Sequence, residues 1–274
     1  MVKILHKKRL NRKTTLYELD LPEIAARAEP GQFVILRVDA DGERIPLTIA
    51  DFDRNKGTIT VVAQEAGATT RLLSRKEAGE ELAGVSGPLG KPVDIDRINK
   101  VLCIGGGVGI ACIYPVARAY NDAGSEVISI IGARTKELLI FENRMRKVSK
   151  ELLITTDDGS YGEKGFVTDC LKRLLRRIKI DLVFTVGPAI MMQGIAEITR
   201  PLSIETWAGL NPLMVDGTGM CGACRISVDG KMKFACVDGP HFNAHLVDFE
   251  ELIARQKMYQ KEEKQRIEMM SKND

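Results

Sequence analysis

Several features that would assign a protein to a class are missing from this sequence of 274 residues. The first ten residues, MVKILHKKRL, carry charge but no apolar core of the kind that a secretory signal requires. The longest apolar stretch, residues 101–117, is interrupted by glycines and a proline and is too short to span a bilayer. The net charge is only +3, and no basic cluster is interleaved with aromatic residues. We therefore expect a cytoplasmic protein that binds neither membranes nor nucleic acids.

A disulfide framework is also missing, although the chain has six cysteines. Three of them belong to one short motif near the C-terminal end. Cys103, Cys112 and Cys170 lie in apolar, strand-like or helix-like contexts, where free cysteine usually acts as a small buried hydrophobe. Six reduced thiols in a reducing compartment are the expectation.

The motif itself is DGTGMCGACRISVDGKMKFAC, which places Asp216, Cys221, Cys224 and Cys236 in the order D-x4-C-x2-C-x11-C. A plant-type [2Fe–2S] cluster uses the spacing C-x4-C-x2-C…C, so three of its four ligands are present and a carboxylate replaces the first thiolate. Glycines surround the sulfurs, and glycine allows the tight, left-handed turns that bring backbone N–H groups close to a cluster. The alternative is a structural zinc site of three cysteines and His241. The motif alone leaves both open.

Two kinds of secondary structure follow one another along the chain. Residues 1–93 contain short runs rich in β-branched residues, separated by turn signals, which predicts a barrel or sandwich. After residue 94, strands alternate with helices, which predicts a parallel sheet covered on both faces. Residues 207–240 are rich in glycine, and Asp248 with Glu251 resembles a helix-capping pair at the start of a charged C-terminal helix. The runs that carry this prediction are strands at 14–21, 33–38, 58–63, 101–104, 126–131, 151–155 and 182–186, and helices from after residue 111 to about 122 and at 143–150, 166–178 and 189–198.

Loops at the ends of the predicted parallel strands carry the residues that suit a dinucleotide. Glycines between the first of these strands and its helix would let a pyrophosphate approach the helix N-terminus. Asp157 or Asp158, after the third strand, suits ribose hydroxyls, and Arg134 follows the second strand, where an arginine accommodates a 2′-phosphate. In the barrel region, Arg44 and the run from Gly67 to Thr70 suit a second phosphate. An ordinary polar turn explains each loop equally well when it is taken alone.

The combination RIPLT, GGGVGIA, DGS, GPAIMM and a C-terminal cysteine motif resembles the FAD subunits of the ferredoxin-reductase type. Within that group, the chain is similar to the small subunits of NADH-dependent ferredoxin–NADP oxidoreductases (sulfide dehydrogenases) and to the electron-transfer subunits of NAD-dependent dihydroorotate dehydrogenases. The resemblance covers the chain up to about residue 245. An aspartate at position 216 resembles the first of these two branches.

The resemblance implies roles for individual residues, and none of them is a catalytic acid, base or nucleophile. It implies that Asp216 and the three cysteines of the motif are the cluster ligands. The implied FAD contacts are Arg44, Pro46, Leu47, Thr48, Val61, Val62, Ala63, Gly67, Thr69 and Thr70. The implied NAD(H) contacts are Gly105, Gly106, Gly107, Val108, Gly109, Asp158, Gly159, Ser160, Gly187, Pro188 and Met191. Arg134 is added to them because of its position after the second predicted strand.

The same resemblance implies an architecture and a function. Residues 1–96 would form an FAD-binding barrel, 97–206 an NAD(H)-binding α/β domain, 207–245 a [2Fe–2S] domain and 246–274 a C-terminal helix or tail. The chain would pass electrons between NAD(H), FAD and the cluster in an electron-bifurcating heterodimer with a larger flavin and iron–sulfur subunit, with ferredoxin as an indirect partner. The non-enzymatic alternative is that the chain is a zinc-stabilised binding module.

We predict that Asp216→Cys keeps the cluster but changes its reduction potential and visible spectrum, because carboxylate is a harder ligand than thiolate. Potentiometric titration followed by absorption spectroscopy measures both properties. Cys221→Ala, which should lose the cluster, is the control. A spectrum and potential unchanged from those of the natural chain would contradict the ligand role of Asp216.

Overall fold

The computed structural model describes residues 1–272, and its first part is an antiparallel β sheet that curls into a half-barrel. The order of its strands across the sheet is β6-β1-β2-β5-β4-β3-β7. Only Ala83 separates β6 from β7 in the chain, so the two edges of the sheet come together. The elements of this part are β1 (Val2–Asn11), β2 (Thr14–Asp20), α1 (Pro22–Arg27), β3 (Phe33–Arg37), β4 (Arg44–Asp53), β5 (Thr58–Gln64), α2 (Ala68–Arg75), β6 (Glu81–Leu82) and β7 (Gly84–Leu89).

The interior of the half-barrel is filled by apolar side chains from these strands. Leu19, Ile49 and Ile59 are fully buried there, as expected for β-branched and aliphatic residues that alternate with outward-facing ones. Tyr17 is also buried, and its hydroxyl donates a 2.9 Å hydrogen bond to the carbonyl of Leu73, which fixes α2 against the sheet. The predicted barrel-type domain is confirmed.

The second part is a mainly parallel sheet with helices on both faces, also as predicted. Strand order is β11-β10-β9-β8-β12-β13-β16, and only the β13–β16 pair is antiparallel among the pairs of this sheet within residues 1–272. Along β8, Val101 and Cys103 face one layer of helices while Leu102 and Ile104 face the other. The elements are β8 (Lys100–Gly106), α3 (Gly109–Asp122), β9 (Glu126–Ala133), α4 (Glu142–Val148), β10 (Glu151–Thr156), β11 (Glu163–Lys164), α5 (Val167–Leu175), β12 (Leu182–Val186), α6 (Ala189–Thr199) and β13 (Glu205–Gly209).

The cysteine-containing segment forms a small unit attached to this second sheet. Its hairpin packs beside α8, and β16 pairs with β13. The predicted boundary between residues 206 and 207 falls inside β13. Asp248 caps α8 by accepting a 2.9 Å hydrogen bond from the backbone N–H of Glu251, which confirms the predicted helix start. The elements are β14 (Arg225–Val228), β15 (Lys231–Phe234), α7 (Ala235–Asp238), β16 (His241–Asn243), α8 (Phe249–Arg255) and α9 (Gln260–Lys272).

No helix within residues 1–272 combines the length and apolar character needed to cross a bilayer.

Two histidines tie the cysteine-containing unit to its neighbours through partly buried hydrogen bonds. His241 donates from Nε2 to the carbonyl of Pro92 at 3.0 Å, since a carbonyl can only accept. His245 Nε2 lies 3.0 Å from the hydroxyl of Thr199, which also accepts a 2.8 Å bond from Thr206. Desolvation lowers the pKa of both imidazoles below the ordinary value of 6.5. Folding therefore disfavours the protonated form of both side chains.

We predict that the free energy of unfolding levels off well above pH 6.5, the ordinary histidine pKa, and falls as the pH drops through that value. Folding lowers both histidine pKa values, so below 6.5 the unfolded chain binds more protons than the folded one. Urea titrations at several pH values between about 5.5 and 7.5 measure this slope. The slope should be smaller in a His241→Gln/His245→Gln double variant. Equal slopes for the natural chain and the double variant would contradict the prediction.

Candidate functional site

A cleft of about 1250 Å³ opens between the half-barrel and the carboxyl edge of the parallel sheet. Loops from both sheets and the cysteine-containing unit reach it. The structure therefore brings together many of the residues that the sequence predicts to bind nucleotides. Those that line the cleft are Pro46, Thr48, Gly106, Gly107, Val108, Gly109, Arg134, Gly187, Pro188 and Met191.

Close packing of two loops shapes the floor of the cleft. A Cβ atom at Gly109 would overlap the carbonyl oxygen of Val186, and a Cβ atom at Gly106 would overlap Met191. Gly107 has φ +57° and no atom within 4 Å of its Cβ position, so the loop is open toward the cleft. This arrangement fits the pyrophosphate of a dinucleotide at the start of α3, where free N–H groups favour an anion. Gly105 lies inside β8 and packs against α3 instead of lining the cleft.

The loop after β10 is held by its own hydrogen bonds. Asp158 accepts from the backbone N–H and the hydroxyl of Ser160 at 2.9 and 2.7 Å, and the Ser160 hydroxyl accepts from the N–H of Lys136 at 2.8 Å. The Ser160 hydroxyl holds the pKa of Asp158 below its usual value. Gly159 supplies the left-handed turn between them, with φ +77°. These three residues are exposed to solvent and do not line the cleft, whereas Asp157 does.

A second group of predicted residues lies outside the cleft lining, at the N-terminus of α2. The Thr69 hydroxyl donates to the carboxylate of Glu43 at 2.6 Å, which places the start of β4 beside this helix end. The Thr70 hydroxyl accepts from the backbone N–H of Gly67 at 3.0 Å. Arg44 follows Glu43 and is exposed to solvent. Guanidinium and free helix N–H groups both suit a phosphate, and the FAD-pyrophosphate role of Arg44, Gly67 and Thr69 stays a prediction.

The remaining predicted flavin contacts are less accessible. Val61 and Ala63 are buried in the core of the half-barrel, so that only their backbone is left for a ligand. Val62 is buried on the opposite face of β5, against the nucleotide-side unit. Leu47 is half-buried next to the barrel core. The binding roles of all four stay predictions.

Several cleft residues were not identified from the sequence. Arg12 and Lys13 form the turn between β1 and β2, Phe166 precedes α5 and is 61% exposed, and Cys112 and His241 come from α3 and β16. The sequence does not single out Phe166 either, since exposed apolar residues that stand alone are common. The other four depend on contacts between distant segments, for which the sequence has no local signal.

Asp216, Cys221 and Cys224 lie on a loop with three left-handed glycines, Gly217, Gly219 and Gly222, as the sequence predicted, whereas Cys236 lies in α7. Cys224 and Cys236 are buried with their sulfurs 3.2 Å apart. Burial raises the pKa of the Cys236 thiol.

The other two predicted ligands are more exposed. Cys221 faces solvent, and its backbone N–H donates to the Asp216 carboxylate at 3.2 Å. Asp216 also accepts a hydrogen bond from the Thr218 hydroxyl, which holds the pKa of the aspartate below its usual value. Among the residues that the structure describes, no three or more histidine, cysteine or acidic side chains converge as a metal site. The ligand role of Asp216 stays a prediction.

His241 is engaged away from these cysteines. Its ring lies 6.2 Å from those of Phe184 and Trp207, centroid to centroid, and its Nε2 donates to Pro92. The structure therefore gives no support to the zinc alternative in which this histidine is the fourth ligand.

Comparison with known proteins relates the cysteine-containing segment to iron–sulfur proteins. Residues 211–248 match the iron–sulfur cluster binding domain of dihydroorotate dehydrogenase B. The chain is 47% identical over 243 residues to a Thermotoga maritima homologue of the dihydroorotate dehydrogenase B (NAD(+)) electron transfer subunit, covering 89% of this chain and 86% of that one. It is 32% identical over 239 residues to the electron transfer subunit of Bacillus caldolyticus, covering 83% and 91%.

Solved structures extend the likeness to the whole chain. An NADH-dependent reduced ferredoxin–NADP oxidoreductase, studied for flavin-based electron bifurcation, superposes with a TM-score of 0.94 at 43% identity, over 98% of both chains. An Amycolatopsis cytochrome P450 reductase superposes with a TM-score of 0.64 at 24% identity over 73% of this chain and 65% of that one, which shows a shared reductase fold.

We predict that Arg44→Gln weakens FAD binding by about tenfold or more, because a hydrogen bond to a charged group contributes about 1.5–3 kcal/mol. Fluorescence titration of the deflavinated protein with FAD measures the dissociation constant. Arg27→Gln, at another exposed arginine of the same half-barrel, is the matched control. Equal FAD affinity in both variants would contradict a phosphate-binding role for Arg44.

Proposed function

The chain belongs to the family of dihydroorotate dehydrogenase B electron transfer subunits and their homologues, and from this we propose its specific role. It passes electrons between NAD(H), FAD and a [2Fe–2S] cluster as the small subunit of a bifurcating NADH-dependent ferredoxin–NADP oxidoreductase. The observation that carries the proposal is the superposition along 98% of both chains, including the cysteine-containing unit. The proposed division is an FAD unit at 1–96, an NAD(H) unit at 97–206, a cluster unit at 207–245 and a tail at 246–274.

The nucleotide side of the proposal is supported by the cleft. Val108 and Gly109 would present backbone N–H groups to the pyrophosphate of NAD(H), since the N–H of Gly107 already donates to the carbonyl of Gly132, and the packing of Gly109 on Val186 keeps that approach short. Arg134 lies at the cleft wall, where a ribose or its phosphate would be bound. Met191 would give an apolar, polarisable contact for the nicotinamide ring.

The flavin side is supported by two parts of the half-barrel. Arg44, Gly67 and Thr69 would hold the FAD pyrophosphate at the start of α2, and Pro46 and Thr48 would lie along the ring system at the cleft. FAD, when bound, exchanges a hydride with a nicotinamide and single electrons with an iron–sulfur cluster. No side-chain acid or base is required for that exchange, so the contribution of the chain is to bind, orient and exclude water.

The cluster would be held by Cys221, Cys224, Cys236 and Asp216. The three left-handed glycines keep the loop close to the sulfurs, and burial of two of the cysteines would shield that side of a cluster from water. Solvent exposure and ligand identity set the potential of such a cluster. The exposed side, at Cys221, would face the partner.

The relatives are named as electron transfer subunits, so the partner of this chain is a larger subunit of the same complex. We propose that this subunit carries a second flavin and further clusters and that ferredoxin exchanges electrons with the complex through it. A second candidate is the electron transfer subunit of a dihydroorotate dehydrogenase, favoured by the match of residues 211–248.

Copurification of the natural partner distinguishes the two candidates. We expect an affinity-tagged chain, expressed in its native host, to bring down a multi-cluster flavoprotein, and the complex to reduce NADP with NADH and reduced ferredoxin together. Recovery of a dihydroorotate-oxidising subunit would contradict the first proposal and support the second. Mass spectrometry of the complex identifies the partner, and the same chain expressed without the tag controls for nonspecific capture.

A further inference from the structure

An ion cluster joins the half-barrel to the nucleotide-side unit near the C-terminal end of α3. Asp51, from β4, accepts a hydrogen bond from Arg118 of α3 through one carboxylate oxygen. Its other oxygen accepts from Arg144 of α4 at 3.0 Å. The exposed fraction of the side chain is 21% for Asp51, 27% for Arg118 and 37% for Arg144. Partly buried charges of this kind are screened by salt much less than exposed ones.

Aromatic rings surround the two arginines. The Arg118 guanidinium carbon lies 5.3 Å from the ring centroid of Phe52 and 5.6 Å from that of Tyr114. The corresponding carbon of Arg144 lies 5.5 Å from Tyr114 and 4.6 Å from Phe141, distances at which cations and aromatic faces attract each other. Phe141 has φ +59°, a backbone conformation rare for a non-glycine residue, and it packs edge-on against Tyr114. These rings and the ion cluster together form a box. Its members come from β4, from α3, and from α4 with the residue that precedes it.

The same strand and helix meet again at the cleft. Thr48 lies three residues before Asp51 on β4, and its hydroxyl is 3.3 Å from the sulfur of Cys112 on α3. A β-bulge shifts the register of β4 between Ile49 and Asp51, and a bulge redirects the side chains that follow it. The helix that begins at the glycine loop is thus fixed to the strand that lines the flavin side of the cleft, at two points.

We propose that Asp51 is a positioning residue that sets the distance between the nicotinamide and flavin sites. The inference rests on the proposed function. Asp51 touches neither ligand site and acts through α3 and α4. Its charge offsets two arginines that would otherwise repel each other, and it holds both to the half-barrel. Without it, α3 keeps its hydrophobic packing on the half-barrel but loses the ionic attachment that sets its exact position, so the glycine loop at its start shifts relative to Thr48. Hydride transfer depends steeply on that position, since a misplacement of about 1 Å costs on the order of 100-fold in rate.

Asp51→Asn tests the inference in two measurements on the full chain. The first is hydrogen–deuterium exchange of the protein without nucleotides, in which the amides of α3 and α4 should exchange faster. The second is stopped-flow reduction of the bound FAD by NADH, in which the limiting rate should fall by about 10- to 100-fold while the NADH dissociation constant changes little. Asp51→Glu should restore much of the rate, because it keeps the charge.

The matched control is Glu126→Gln. Glu126 also pairs with two cations, Lys100 and Lys150, but all three belong to the nucleotide-side unit. Its substitution should leave the limiting rate unchanged. If Asp51→Asn does not fold, Arg144→Gln removes one cation of the same box and should slow flavin reduction to a smaller extent.

Two results would overturn the inference. One is flavin reduction at the natural rate in folded Asp51→Asn, and the other is an equal loss of rate in Asp51→Asn and Glu126→Gln. Failure of the chain to bind FAD or NADH would instead overturn the proposed function. In that case the exchange measurement still tests the box, because unchanged exchange of α3 and α4 in Asp51→Asn contradicts it without any ligand.

Discussion

Helix α3 packs into a hydrophobic core that the two large units share, and the site depends on this packing. Leu16, Ala50 and Val62 of the half-barrel join Ile113 and Ala117 of α3 in one buried cluster. Burying an aliphatic side chain of this size contributes about 1.5–3 kcal/mol, so several of them fix the two sheets against each other. The glycine loop at the start of α3 is therefore held opposite the flavin-side strand, and the cleft is the space between them.

Much of the architecture was predictable because its signals are local. The strand at Leu182–Val186 has the bounds that its short apolar run indicated, and α6 ends within one residue of its predicted end. The helix start at Asp248 followed from a capping pair. β1 escaped prediction because its alternation is confined to Val2–Ile4 and the rest of the strand is charged and exposed.

The features that sequence patterns missed are those made by distant segments. β16 has only three residues and becomes a strand by pairing with β13, so no local periodicity indicates it. The same is true of His241, which was a candidate zinc ligand by spacing and instead donates to Pro92 across 149 positions. The sequence indicated which residues have side chains or backbone suited to a phosphate. It did not indicate that some of them line the cleft while others lie at the N-terminus of α2.

The central claim is that electrons from NADH reach an iron–sulfur cluster within this one chain. Electron paramagnetic resonance of the purified, anaerobic protein before and after addition of NADH tests it most directly. The account predicts that NADH bleaches the flavin absorbance and produces the signal of a reduced [2Fe–2S] cluster, and that Cys224→Ala lacks this signal. A chain that binds zinc, or one whose flavin is bleached by NADH while no cluster signal develops under any reductant, would contradict it.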